Sequence, residues 1–215
     1  ALVSDLAAVQ RAGREVVLVT SGAIGSGMEA LGWKSRPTTI PELQMAAAVG
    51  QSRLMSTYLR LFSRHEISVG QVLLTHDDLM NRSRHLNARN TMMKLLEHGV
   101  VPIVNENDVV TVDEIKFGDN DLLASLVALL VDADLLILLT NVDGLRAPAK
   151  NGRTKRVAYL ECVTDAALGL TKGKGSHLSI GGMASKLKSA QSVVDVGGKV
   201  IIADGTKRKI VQKIV

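Results

Sequence analysis

The fold class is decided by residues 120–140, which read NDLLASLVALLVDADLLILLT. Residues 120–131 have the length and the nearly continuous apolar content of a buried helix. Residues 135–139 form an unbroken apolar run of strand length, which is typical of a strand covered on both faces. Asp132 and Asp134 separate the two segments and predict a turn. Because either carboxylate would be costly inside a bilayer, the run does not predict a membrane span.

The same alternation of helices and apolar strands continues along the chain. Further strands are predicted at residues 16–19, 69–74, 100–104 and 199–203, with a hairpin or strand at 110–117. Further helices are predicted at residues 1–12, 86–98, 183–196 and 206–215, and residues 41–65 are predicted to form one or two helices. Pro102 weakens the strand prediction at 100–104 or is expected to lie at a strand end. The pattern predicts an α/β fold, a three-layer α/β/α sandwich with a mostly parallel central sheet. Since no long linker interrupts this alternation of helices and strands, residues 1–215 are expected to form one domain.

Composition excludes several classes of protein. A chain of 215 residues with 46% hydrophobic and 22% charged residues is ordinary for a globular domain and excludes overall disorder. Aromatic residues make up 2%, too few for the stacking platform of a single-stranded nucleic-acid binder. The one cysteine, Cys162, cannot form an internal disulfide and is expected to be a small buried hydrophobe. No secretory signal is visible, so we expect a cytoplasmic protein without a membrane partner.

Charge is distributed unevenly along the chain. Residues 1–145 hold 12 basic and 17 acidic residues, a balance of −5, and residues 146–215 hold 14 and 4, a balance of +10. The two parts sum to the net charge of +5. A fold in which an acidic part faces a basic part would suit a small polar substrate that binds beside a polyphosphate. A solvated basic surface is the alternative, and nucleic-acid binding is not expected.

Two polar clusters follow predicted strands, where α/β sheets bind ligands. The first, residues 20–27, reads TSGAIGSG, and its glycines would let backbone amides approach an anion, with Ser21 adding a hydroxyl. A plain glycine-rich turn is the alternative. The second is Asn105-Glu106-Asn107-Asp108, whose four hydrogen-bonding side chains are hard to explain by packing. It could hold the ammonium and carboxylate groups of an amino acid, although a turn or a cap would also use such residues.

Two more clusters open predicted helices. Gly118-Asp119-Asn120-Asp121 has more polar residues than a helix cap needs, so it predicts ligand contacts or a carboxylate that positions catalytic cations. Gly181-Gly182-Met183-Ala184-Ser185-Lys186 offers free amides and a lysine to a phosphate, unless it is only a helix start with a surface lysine.

Common signatures of other enzymes are absent from the sequence. It contains no G-x-x-x-x-G-K-[ST] phosphate loop, no G-x-G-x-x-G dinucleotide motif and no G-x-S-x-G nucleophile elbow. The five histidines are scattered, so no metal site is predicted.

Taken together, these motifs resemble the amino-acid kinase family, and within it the glutamate 5-kinase branch. The matching motifs are TSGAIGSG (20–27), AAAVGQSRL (46–54), VGQVLLT (69–75), LNARNT (86–91), NENDVV (105–110), GDND (118–121), LLTNVDGL (138–145) and GGMASK (181–186). The resemblance extends over nearly the whole chain. NEND followed by GDND at this spacing is the feature most specific to that branch.

The resemblance implies ATP-dependent phosphorylation of the γ-carboxylate of L-glutamate, the first step toward proline, with Mg²⁺ carried by the nucleotide. Lys186 would neutralise charge on the transferring phosphoryl group, and Asp121 would organise the catalytic lysines. The implied glutamate-binding residues are Ser21, Gly22, Asp108, Asp119 and Asn120. The implied ATP-binding residues are Thr140, Asn141, Ile180, Gly181, Gly182, Met183, Ala184, Ser185 and Lys186.

The sequence also departs from the family pattern. Family members begin with a strand that ends in a lysine, and they often carry Thr-Asp where Thr140-Asn141 stands and an aromatic residue at the position of Arg146. We therefore expect a chain shortened at its start, without the C-terminal RNA-binding-like module of many relatives. The alternatives are an acetylglutamate or aspartate kinase, or a catalytically impaired module that binds ATP and an amino acid. The family also implies a homo-oligomer and feedback inhibition by proline.

Overall fold

The structure is a computed structural model that describes residues 1–111, 120–149, 153–171 and 182–215. The chain forms two compact units, residues 1–120 with Val215 and residues 121–214. The boundary falls between Asn120 and Asp121, where no linker is present. In both units parallel strands pack with helices, so the predicted α/β fold with mostly parallel strands is confirmed.

The first unit is built on a three-stranded parallel sheet in the order β1-β3-β2. The strands are β1 (Leu18–Val19), β2 (Val69–Leu74) and β3 (Val101–Glu106), and every residue of the central β3 is buried. The strand prediction that Pro102 weakened is confirmed, and Pro102 is the second residue of β3. The backbone nitrogen of Pro102 faces β1 and carries no hydrogen. Because β1 begins opposite Ile103, no hydrogen bond between the strands is lost at Pro102.

Five helices accompany this sheet, namely α1 (Leu2–Arg11), α2 (Ala23–Ala30), α3 (Ile40–Ser63), α4 (His76–Met80) and α5 (Arg82–Glu97). The sequence did not predict α2, because three glycines in residues 22–27 favour a loop. Tertiary packing overrides this preference, since α2 lies directly against α3. A Cβ on Gly27 would be 1.8 Å from the Ala46 carbonyl oxygen, and one on Gly50 would be 1.7 Å from the Ala23 carbonyl oxygen.

The second unit contains a parallel pair and an antiparallel hairpin. Strand β4 (Leu136–Thr140) pairs in parallel with β7 (Val200–Asp204), and β5 (Arg146–Pro148) pairs in antiparallel fashion with β6 (Thr154–Arg156). The helices are α6 (Asp121–Leu130), α7 (Asp165–Gly169), α8 (Met183–Val194) and α9 (Ile210–Ile214). Helix α6 packs against α8 and β4, and Asp132 forms the predicted turn with a left-handed φ of 52°.

Several sequence predictions differ from the structure in detail. Strand β3 extends two residues beyond the predicted end and includes Asn105 and Glu106, while β1 is shorter than predicted. Helix α5 begins at Arg82 instead of residue 86, because the Asn81 side chain caps it by accepting from the Ser83 and Arg84 backbone N–H groups.

Other elements were missed, and the expectation for Cys162 is wrong. Helices α4 and α7 and the β5–β6 hairpin were not predicted. The predicted hairpin or strand at 110–117 lies almost wholly outside the described residues. Cys162 is exposed instead of buried. Among the helices of the described residues, none is long and apolar enough to cross a membrane.

Candidate active site

A hydrogen-bonded network of side-chain amides lies at the carboxyl end of the first unit's sheet. Nδ2 of Asn120 donates hydrogen bonds to the Thr20 carbonyl oxygen and, at 2.7 Å, to Oδ1 of Asn105. Asn105 is 2% exposed, and its Nδ2 donates to Oε1 of Gln51 at 2.8 Å. Four residues that are far apart in sequence are therefore joined beside the ends of β1 and β3.

Thr20 holds this network to the neighbouring elements. Its backbone N–H donates to the Val104 carbonyl oxygen at 2.9 Å, which extends the β1–β3 pairing by one residue. Its hydroxyl lies 2.7 Å from the hydroxyl of Tyr58 on α3. Ser21 and Gly22 follow immediately and are exposed. Gly22 is the N-cap of α2 and has a left-handed backbone conformation, with φ of 104°. Because glycine has no side chain, Gly22 offers no side-chain acceptor to the first backbone N–H groups of α2.

Asp108 lies in a turn directly after β3. The turn is organised by the Asn107 carbonyl oxygen, which accepts from the backbone N–H groups of Val110 and Thr111 and from the Thr111 hydroxyl. Burial raises the pKa of Asp108 to about 6, although the charge of Arg36 acts to lower it. A carboxyl group with a raised pKa beside a polar strand end is typical of a functional site.

In the second unit, a buried lysine is paired with a buried aspartate. Nζ of Lys186 donates to Oδ2 of Asp121 at 2.7 Å, and the two side chains are 9% and 13% exposed. Asp121 begins α6, and Lys186 lies in the first turn of α8. The contact between these helices therefore places a cation beside the N-terminus of α8.

The run at the start of α8 is described from Gly182 onward. Gly182 is the N-cap and supplies no side-chain acceptor to the first turn. Met183 packs its side chain against the core cluster of Leu145, Ala167 and Leu187, so the group it can offer a ligand is its backbone N–H. Ser185 is half-buried and Ala184 is exposed. Ile180 and Gly181, and likewise Asp119 of the GDND motif, lie outside the described residues.

Thr140 and Asn141 stand at the carboxyl end of β4. Thr140 is the last residue of the strand, pairs with Asp204 of β7, and its carbonyl oxygen accepts from the Gly205 N–H at 2.8 Å. Asn141 is exposed directly beyond the strand. The carboxyl ends of β4 and β7 thus form a polar edge of the kind where α/β proteins bind nucleotides.

The sequence pattern of the Amino acid kinase family matches residues 1–204. The chain belongs to this family. Glutamate 5-kinase from Clostridium acetobutylicum is 46% identical over 215 residues, covering 99% of this chain and 80% of that protein. Glutamate 5-kinase from Burkholderia lata is 46% identical over 213 residues, covering 98% of this chain and 57% of that protein. The enzyme of the same name from Pseudomonas entomophila is 45% identical over 214 residues, 99% of this chain and 58% of its own length.

A solved structure has the same fold. Carbamate kinase from Giardia lamblia bound to AMP-PNP matches with a TM-score of 0.59 at 21% identity, covering 94% of this chain and 81% of that chain. The resemblance to the glutamate 5-kinase branch that the motifs indicated is confirmed by the relatives. The chain spans little more than half the length of two of them.

For this amino acid kinase, the structure adds residues that the sequence did not single out. Asn105 and Thr20 were predicted only as parts of polar clusters, whereas Gln51 and Tyr58 were not predicted as site residues. Gln51 could have been noticed, because it falls within the matching motif AAAVGQSRL. Among the described residues, no group of three or more His, Cys, Asp and Glu side chains is arranged to hold a metal ion.

Proposed function

We propose that the chain catalyses ATP-dependent phosphorylation of the γ-carboxylate of L-glutamate, giving γ-glutamyl phosphate and ADP. One observation carries the proposal. The consecutive residues Asn120 and Asp121 belong to two different networks, Asn120 to the amide cluster of the first unit and Asp121 to the lysine pair of the second. The name of the curated relatives, glutamate 5-kinase, supports the same activity.

The amide cluster of the first unit suits the amino-acid substrate. Both N–H groups of the Asn120 amide are used within the cluster, so the atom it offers a ligand is the acceptor Oδ1. This oxygen and the Asp108 carboxylate would accept hydrogen bonds from the α-ammonium group of glutamate. Ser21, the amide of Gly22 and Asp119 complete the proposed glutamate-binding residues.

The second unit suits the nucleotide. Thr140 and Asn141 would contact ATP at the end of β4, together with residues 180–186 at the start of α8. The helix amides and the Lys186 ammonium are donors for phosphate oxygens. Mg²⁺ would enter with ATP as part of the substrate. We assign no Mg²⁺ ligand to the protein.

The chemical step needs positioning and charge stabilisation more than proton transfer. A γ-carboxylate oxygen of glutamate attacks the γ-phosphorus of ATP, the new P–O bond forms, and the bond to the ADP oxygen breaks. Because a carboxylate is already ionised, no general base is required. Lys186 would stabilise the phosphoryl oxygens, and Asp121 would act as a positioning residue that holds the Lys186 ammonium in place.

The test is capture of the acyl phosphate product. The chain is incubated with MgATP, L-glutamate and hydroxylamine, and both ADP and the γ-glutamyl hydroxamate are measured. We expect equal amounts of the two, and much less product with N-acetylglutamate or L-aspartate. N-acetylglutamate lacks the ammonium group, and L-aspartate is one methylene shorter. Preference for either analogue would overturn the proposal in favour of an acetylglutamate or aspartate kinase.

The alternative of a catalytically impaired binding module predicts a different result. Calorimetry would then detect L-glutamate and an ATP analogue binding to the chain, while no hydroxamate formed. A cytoplasmic location, where ATP is available, accompanies the proposed reaction. Assembly into a homo-oligomer and inhibition by proline are further proposals that rest on the family resemblance, and sedimentation and inhibition assays would test them.

A further inference from the structure

We infer that Gln51 is a positioning residue that, together with the Thr20 carbonyl, fixes which atom of the Asn120 side chain faces the substrate. This inference deepens the proposed function and rests on it, because it assigns the orientation of the group that would accept the ammonium of L-glutamate. Gln51 itself would not touch the substrate. It would act through the Asn105 amide.

The orientation is set first at the Thr20 carbonyl oxygen, which can only accept a hydrogen bond. The Asn120 amide must therefore turn its Nδ2 toward Thr20, and the same nitrogen donates to Asn105. Asn105 must then present its Oδ1 to Asn120. The Thr20 carbonyl therefore favours one orientation of the Asn120 and Asn105 side-chain amides.

The same requirement extends to Gln51. Because Oδ1 of Asn105 is used by Asn120, its Nδ2 points the other way and needs an acceptor. Oε1 of Gln51 supplies that acceptor at 2.8 Å. With an acceptor at residue 51, Asn105 has a single satisfied orientation. Without one, only the hydrogen bond from Asn120 distinguishes this orientation of Asn105 from its 180° flip.

Two observations point to a role for the Gln51 acceptor oxygen beyond packing. Its Nε2 is buried and has no hydrogen-bond partner among the described residues, so only one half of the amide is satisfied. Burying an unsatisfied donor is unfavourable, and an apolar residue of similar size would avoid it. Gln51 also follows Gly50, where α3 touches the backbone of α2, so its Cα is held at a close-packed crossing.

A flipped Asn105 would place a donor against the Asn120 donor. Asn120 could relieve this only by turning as well, which would set its Oδ1 against the Thr20 carbonyl and its Nδ2 toward the substrate. That arrangement repels an ammonium group. Loss of the Gln51 acceptor should therefore weaken recognition of the ammonium specifically, with less effect on the carboxylates of the substrate.

The experiment compares L-glutamate with glutarate, which has the same two carboxylates and no ammonium group. Dissociation constants for both are measured by calorimetry on the unaltered chain, on Gln51→Met and on Gln51→Glu, which keeps an acceptor oxygen. We expect the preference for L-glutamate over glutarate to fall about tenfold in Gln51→Met, the effect of one lost hydrogen bond. Gln51→Glu should keep most of the preference, and glutarate binding should change little in either variant.

A second pair of variants keeps the inference testable if Gln51→Met does not fold. In Asn105→Asp, the Gln51 amide can rotate so that Nε2 donates to the new carboxylate. In Gln51→Glu/Asn105→Asp, two carboxylates would face each other. The loss of preference in the double variant should therefore exceed the sum of the single losses on a logarithmic scale.

The outcomes separate this inference from the proposed function. If the unaltered chain binds glutarate as well as L-glutamate, the proposed function fails and the inference fails with it. If the unaltered chain prefers L-glutamate and Gln51→Met retains that preference, only the role of Gln51 is overturned. Equal weakening of both ligands in Gln51→Met would show a merely structural residue and would also overturn the inference.

Discussion

Nζ of Lys186 and Oδ2 of Asp121 lie 2.7 Å apart in a buried ion pair between the first turns of α8 and α6. The two residues are 65 positions apart in sequence. Because both side chains are largely removed from water, the lysine is held in one position by its partner. The net contribution of such a pair to stability is small, so the proposed role of this one is to position the Lys186 ammonium.

We expect Lys186→Met to lower the rate of phosphoryl transfer by about 10²–10³-fold, the usual loss when one charge-stabilising donor is removed. The substitution also removes the hydrogen-bonded ion pair between residue 186 and Asp121, so the free energy of unfolding should fall by about 1.5–3 kcal/mol, the usual contribution of a hydrogen bond to a charged group. Single-turnover kinetics and urea unfolding measure the two effects. Lys188→Met on the exposed side of α8 is the matched control and should change neither.

Asp121→Asn separates positioning from charge stabilisation. The amide keeps the size of the side chain and can still accept from Lys186, but it does not hold the ammonium by charge. We expect a smaller loss of rate than in Lys186→Met. A rate in Asp121→Asn equal to that of the unaltered chain would contradict a positioning role for Asp121.

The raised pKa of Asp108 predicts a pH dependence of glutamate binding. In the proposed glutamate complex the ammonium group binds the ionised carboxylate, and with a pKa of about 6 that carboxylate is half ionised at pH 6. We therefore expect the KM for L-glutamate to be about tenfold higher at pH 5 than above pH 7, one pH unit below the pKa. Steady-state kinetics between pH 5 and 8 measure this. Asp108→Asn should have a raised KM that no longer changes across this range.

The raised pKa of Asp108 also makes the free energy of unfolding depend on pH. The folded-state pKa of Asp108 lies above its ordinary value of 3.8, so the folded protein binds more protons than the unfolded chain between those values. The contribution of Asp108 to stability is fully present below pH 3.8 and is lost as the pH rises through about 6. Comparing urea unfolding of the unaltered chain and Asp108→Asn across this range isolates the effect, and an opposite slope would contradict the burial of the carboxyl group.

The contact between α2 and α3 predicts opposite outcomes for two glycines on one helix. An alanine at residue 27 would drive its Cβ into the Ala46 carbonyl oxygen, so Gly27→Ala should destabilise the chain by about 3 kcal/mol or more. A Cβ on Gly25 would meet no atom of the described residues within 4 Å, and Gly25→Ala should stabilise α2 by about 0.5–1 kcal/mol. Thermal and urea unfolding measure both. Equal tolerance of the two substitutions would argue against the close crossing.

Gly22 predicts a defect in binding at the start of α2. Its φ of 104° is unfavourable for any residue with a Cβ, so Gly22→Ala should cost about 1–2 kcal/mol or shift the backbone. Since Ser21 precedes it and the first amides of α2 follow it, a shift should raise the KM for L-glutamate with little change in the KM for ATP. Gly25→Ala serves as the control, because it adds the same methyl group in an open position.

Much of the fold could be predicted because its strands are short apolar runs with clear limits. Strand β2 was predicted at its observed bounds, and β4 and β7 within one residue, since burial on both faces demands continuous apolar residues. Helix α2 could not be predicted in the same way. Its glycines disfavour a helix locally, and it is the close approach of Ala46 from α3 that requires a glycine at residue 27.

The sequence by itself determined the α/β class, the order of the polar clusters and the family, because apolar periodicity and motif spacing are local properties of the chain. It also placed Asp108, Asn120, Asp121 and Lys186 next to strand or helix ends. The tertiary structure alone decided which of these residues meet. It paired Lys186 with Asp121, turned the Asn120 amide toward Thr20 and brought Gln51 within hydrogen-bonding distance of Asn105. Side-chain orientation and burial depend on contacts between distant segments, and no local pattern in the sequence records them.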